Sequence, residues 1–132
     1  MRLFLQIDIG DWKQRNYHNP LVPFASSLAP DLMCTDFDNE SESTVIDLVI
    51  KLAEQAEFIF VFIAANSEAP VGSVVKMIRY LLQNDGKVQN LIMLGEHSAI
   101  EQHAQNFEQR FIKAGNIEEV KKLVRDFAEK IV

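Results

Sequence analysis

Asp8, Glu68 and His18 are the side chains best suited to general acid or base work. A carboxylate can flank a glycosidic carbon or move a proton, and an imidazole changes charge near neutrality. Asp8 is followed by Gly10, Asp11 and Trp12, then by Lys13-Gln14-Arg15-Asn16-Tyr17-His18. Aromatic rings among Lys and Arg can stack on a nucleobase. Trp12 and Tyr17 are therefore the expected stacking residues, with a carboxylate at the sugar. The competing expectation is that both rings fold back over a short helix as apolar cover. Asp31, Asp36, Asp38, Glu40 and Glu42 form an acidic stretch with no base between them. Asp8, Asp36 and Asp38 could hold Mg²⁺ through oxygen ligands. The alternative is a solvated loop before a helix whose dipole favours acid at its start. His97 and His103 lie six apart, a spacing that does not share one helix face, so no zinc site is expected. Cys34 reads as a small apolar residue in mid-strand. The chain carries no G-x-G-x-x-G, no Walker lysine after a glycine-rich loop and no G-x-S-x-G elbow.

The elements that must position these residues alternate along the chain. Residues 2–9, 32–35, 58–64, 91–94 and 110–113 read as strands. Phe58-Ile59-Phe60-Val61-Phe62-Ile63-Ala64 is apolar on both faces, the pattern of a central parallel strand covered on both sides by helices. Between the strands lie helical stripes. Leu21, Phe24, Ala25 and Leu28 form a first helix, kept short by Pro23 and Pro30. Val45, Val49, Leu52, Ala53 and Ala56 form a second, with Thr44 and Asp47 as its capping pair. A third buries Val71, Val74, Val75, Ile78, Leu81 and Leu82 and stops at Asn84-Asp85-Gly86. Ser98 with Glu101 caps a fourth. Asn116 with Glu119 caps a fifth, whose stripe is Ile117, Val120, Leu123, Val124, Phe127 and Ile131.

This βαβαβαβαβα alternation predicts one α/β domain over residues 1–132. Its three layers enclose a five-stranded parallel sheet of flavodoxin-like order 2-1-3-4-5. In such sheets ligands bind beyond the carboxyl ends of the strands, where strand order reverses between strands 1 and 3. The expected ligand-binding set is Asp8, Gly10, Asp11, Trp12, Tyr17, Asn66, Ser67, Glu68, Glu96 and Lys113. Gln6 and Asp8 are polar in a strand expected at the sheet's centre and need partners there. Asp8 either caps a helix or loop amides, or faces the crevice.

Two resemblances attach to these strand ends. Receiver domains of response regulators place acids after strand 1, a phosphoacceptor aspartate at the end of strand 3, a Ser or Thr after strand 4 and a lysine after strand 5. Asp8 or Asp11 and Lys113 resemble the first and last of these. Strand 3 instead ends Ala64-Ala65-Asn66 and strand 4 ends Gly95-Glu96. An aspartyl phosphate needs a carboxylate nucleophile, so the resemblance implies the shape without the phosphotransfer. Over residues 56–96 the chain also resembles the nucleoside 2-deoxyribosyltransferase and TIR-like group, in which a helix opens Gly-Thr-x-x-Glu and the Glu is the nucleophile. Here the segment reads Gly72-Ser73-Val74-Val75-Lys76. A lysine has the wrong charge to stabilise an oxocarbenium-like centre, which leaves Glu68 as the nearest carboxylate.

Composition limits the partners. Of 132 residues 48% are apolar and 24% charged, ordinary for a globular protein. Residues 1–66 hold four basic and ten acidic residues, and residues 67–132 hold nine of each. The net charge of −6 therefore arises in the first half, which argues against nucleic-acid or anionic-membrane binding. The longest apolar run, Phe58 to Ala65, is eight residues, against the ~20 that span a bilayer. Gln6 and Asp8 interrupt any signal-peptide core, and the single Cys34 fits a reducing compartment, so a cytoplasmic location is expected. The first expectation for function is a non-catalytic regulatory or protein-interaction module of receiver-like shape. Its partner would be another protein or a second copy, meeting the fourth and fifth helices. The alternative is an enzyme or binder acting on a nucleoside or nucleotide, or on an N-glycosidic bond.

Overall fold

The computed structural model describes residues 1–10, 21–66 and 68–130. Five strands, β1 (Arg2–Ile9), β2 (Leu32–Asp38), β3 (Phe58–Ala65), β4 (Val88–Gly95) and β5 (Phe111–Ala114), pair in parallel in the order β2-β1-β3-β4-β5. This is the expected flavodoxin-like order. The helices are α1 (Val22–Ser26), α2 (Ser43–Gln55), α3 (Val74–Gln83), α4 (Ser98–Ala104) and α5 (Ile117–Glu129). Among the described residues no helix is long and apolar enough to cross a membrane.

Side chains alternate across each strand, so the sheet has a core on each face. Leu3, Leu5, Ile7, Ile59, Val61, Ile63, Leu91 and Met93 pack under α2, α3 and α4. Phe4, Phe60, Phe62 and Ile92 pack under α1 and α5. Phe60 is fully buried at the centre of this second core, its ring centroid 5.7 Å from that of Phe4 and 5.5 Å from that of Phe127.

Some local expectations need correction. β2 and β4 are longer than their apolar runs. The ladder continues through Thr35–Asp38, where an edge strand tolerates polar residues, and Val88–Asn90 also joins the sheet. α2 starts at Ser43, without a Thr44 side-chain cap. It buries Ile46, Val49 and Ala53, while Val45 remains 38% exposed. α3 buries Met77 in addition to Val74, Ile78 and Leu81. α4 is capped one residue early, because the His97 ring accepts the Ile100 amide. The Asn116 cap on α5 forms as expected, accepting the Glu119 amide at 2.9 Å.

The amino-terminal ends of the strands are closed by Arg2. Its Nε and Nη2 donate to Asp31 Oδ2 and Oδ1 at 2.8 and 2.7 Å. Nη1 donates to the Phe127 carbonyl at 2.6 Å, and Nη2 to that of Ala128 at 3.1 Å. One planar guanidinium thus satisfies carbonyls at the end of α5, which has no glycine cap, and ties that end to the turn before β2. A hollow of about 430 Å³ there is lined by this same pair.

Candidate functional site

One row of side chains crosses the sheet near its carboxyl ends: Asp38, Asp8, Ala64, Leu94 and Ala114, in register on one face. Ala64 is small and sits between Asp8 and Leu94. Beside it lies a cavity of about 90 Å³, lined among the described residues by Asp8, Phe62, Ala64, Ala65, Asn66, Leu94 and Ile117. The cavity lies at the switch point between β1 and β3, where a ligand was expected.

Gln6 explains how two polar residues fit a central strand. Its Nε2 donates to Asp8 Oδ1 at 3.2 Å, and its Oε1 accepts the Leu21 amide at 3.0 Å. Gln6 is buried, so its bonds offset the cost of taking an amide out of water. It aims the half-buried Asp8 carboxylate and also anchors the chain entering α1.

The other expected residues divide into groups. The Gly10 amide donates to Asn39 Oδ1 at 3.2 Å. Asn66 is exposed at the mouth of the cavity, and its amide donates to the Ile9 carbonyl at 2.8 Å. Glu68 is directed away from Asp8, towards the start of α4. Its Oε1 and Oε2 accept the Ser98 amide at 3.0 and 3.1 Å, and its Oε1 accepts the Ser98 hydroxyl at 2.9 Å. Lys113 lies within β5 rather than after it, 2.8 Å from Glu101 and 3.6 Å from Glu96. Glu101 in turn accepts the His97 amide at 3.2 Å. The Lys113 hydrogen bond holds the Glu101 carboxyl below its ordinary range, and Glu101 raises the Lys113 ammonium above its own. Asp11, Trp12, Tyr17, His18 and Ser67 lie outside the described residues.

His97 and Asn39 have roles that sequence reasoning missed. The buried His97 ring makes its Nε2 contact with the Ala69 carbonyl at 2.7 Å and accepts the Ile100 amide at Nδ1. A ring that accepts at Nδ1 and faces a carbonyl at Nε2 carries its proton on Nε2. Asn39 Nδ2 donates to the Pro70 carbonyl at 2.9 Å, so Asn39 joins the ends of β1 and β2 to the loop after β3. The only local signal was an Asp38-Asn39-Glu40-Ser41 turn, and its distant partners were not readable. Asp38 Oδ1 accepts the Glu40 amide at 2.8 Å within that turn. Asp36 is exposed on β2. Among the described residues no group of three or more His, Cys, Asp or Glu side chains is placed to hold a metal ion.

The Gly72–Lys76 segment also joins loops. Gly72 has φ +55°, and a Cβ there would collide with the Asn39 carbonyl oxygen, so only glycine lets the two turns approach. Ser73 Oγ donates to the Ser41 carbonyl at 2.6 Å, and Lys76 pairs with Asp47 of α2. These contacts fasten the start of α3 to the start of α2.

No protein-family model matches the chain, and a search of curated proteins finds no match.

Proposed function

We propose that the chain is a non-catalytic regulatory or protein-interaction module of receiver-like shape. The observation that carries this reading is the commitment of the carboxyl-end side chains to architecture. Glu68 is bonded to the start of α4, Glu101 to Lys113 and the His97 amide, and His97 to Ala69 and Ile100. A general acid or base must be free to reach the atom whose proton it moves. Around the cavity the described polar side chains are Asp8 and the neutral Asn66. At the end of β3, where a receiver would carry its phosphoacceptor, Asn66 offers no carboxylate nucleophile.

The cavity favours a second reading, a nucleoside or nucleotide ligand beside Asp8. It lies at the right place, but its volume of about 90 Å³ is well below the ~300–1,000 Å³ of ordinary ligand pockets. A thermal-shift screen with nucleosides, nucleotides and Mg²⁺ at millimolar concentration separates the two, because specific binding to the native state raises the melting temperature. The module reading expects no rise. A concentration-dependent rise with a nucleoside would overturn it.

A further inference from the structure

Among the described residues β2 pairs with no strand but β1. Its outward-facing backbone is closed at both ends, by the Leu32 amide on the Ala29 carbonyl and by the Asp38 amide and carbonyl on Ser41, which leaves Cys34 and Asp36 at the open part of the edge. An open edge presents a row of unpaired backbone N–H and C=O groups, which can template another strand. The large exposed apolar side chains of the described residues are Met33 at 47%, Val45 at 38% and Leu48 at 67%. All three flank this edge. Met33 lies on β2 and shares a face with Phe37, the face covered by α2. On α2 the flank bearing Asp47 faces α3, where Asp47 pairs with Lys76. At ~100° per residue, Val45, Leu48 and the half-buried Leu52 fall on the opposite flank, towards the β2 side. The surface of α4 and α5, where a partner was expected, is instead polar and charged outside its buried stripe.

The strip is framed by acid. Residues 31–50 contain no Lys, Arg or His; Glu42 is exposed one helical turn before Val45, and Asp36 is exposed on the opposite face of the same edge strand. Pairing β2 with β2 of a second copy would bring two acidic edges together, which disfavours a homodimer here. A basic strand would meet opposite charge and an open ladder at once. We propose that the β2 edge, with Met33, Val45 and Leu48, is a docking surface for an extended, Lys- or Arg-bearing segment of another protein, added as a sixth strand. This rests on the interaction-module reading and gives it a partner of stated chemistry. Main-chain bonds would supply affinity, and alternate apolar side chains would lie on the exposed strip.

The test is an amide-resolved NMR titration of the whole chain with a synthetic peptide of alternating Lys and Val, about eight residues long to match a strand. The expected result is saturable shifts at the amides of Met33–Asp38 and Val45–Leu52. Binding should weaken roughly five- to ten-fold in Leu48→Gln and in Asp36→Lys, the order of a truncated interface contact. Both positions are exposed, so the variants should fold. A peptide with Glu in place of Lys should not bind. Absence of saturable shifts overturns the proposal. So does indifference to both substitutions, or a self-association through this edge that Leu48→Gln disrupts. Saturable peptide shifts on another face reject this surface and leave the module reading standing. Nucleoside-dependent shifts at Asp8 and Asn66 would instead reject the module reading.

Discussion

Glu68 grips Ser98 with both carboxylate oxygens, at 3.0 and 3.1 Å from its amide, across thirty residues of sequence. The bond places a negative charge at the start of α4, where the helix dipole favours one. Glu68→Ala should therefore lower unfolding stability by about 1 kcal/mol, the usual cost of losing an N-terminal cap. Urea denaturation monitored by circular dichroism measures it. A change within ~0.5 kcal/mol, typical of an inert surface site, would show that Glu68 does not hold the helix.

Phe60 tests the central strand. Its ring is fully buried between Phe4 and Phe127. Phe60→Ala should cost roughly 3–5 kcal/mol, the lost transfer energy plus a cavity. A loss under about 1 kcal/mol would contradict a central position for β3.

The Arg2–Asp31 fork makes stability depend on acid pH. The hydrogen bonds from Arg2 hold the Asp31 carboxyl below its ordinary range. A depressed folded-state pKa adds stability above the unfolded value, near 4, and that increment disappears as pH falls through the folded value. The stability difference between wild type and Asp31→Asn should be constant from neutral pH to about 5 and shrink at lower pH. Urea unfolding across that range measures it. A difference that grows on acidification would contradict the pairing.

Cys34 should be slow to react. Burial pushes its thiol up to about 11. At pH 8 only about one part in a thousand is then thiolate, the reactive form. Alkylation of the native chain by iodoacetamide should keep accelerating beyond pH 10. A plateau near pH ~8.5, the value of a free thiol, would contradict the burial.

The sheet order was legible because β3 is apolar on both faces and the helical stripes alternate with strands. The rotation of α2 was not. Val49 and Ala53 fit a helical stripe with either Val45 or Ile46, and the core takes Ile46, which leaves Val45 38% exposed. The carboxyl ends gave the residues that gather there but not their partners. Glu68 resembled a nucleophile because its bond to Ser98 is long-range. Asn39 gave no signal in the sequence, because its bonds to Gly10 and Pro70 cross about thirty positions in either direction. The Ser98–Glu101 spacing matched a capping box, yet His97 caps the helix, since its ring is fixed by the Ala69 carbonyl from another loop.

On the proposed reading, the carboxyl end of the sheet is held by architecture rather than shaped for a reaction. Titration of the labelled chain with adenosine, and with ATP and Mg²⁺, tests it most directly at the amides of Asp8, Asn66 and Leu94. The expected result is no saturable shift at millimolar ligand. A saturable shift at those three amides would contradict it and make the Asp8 cavity a ligand site.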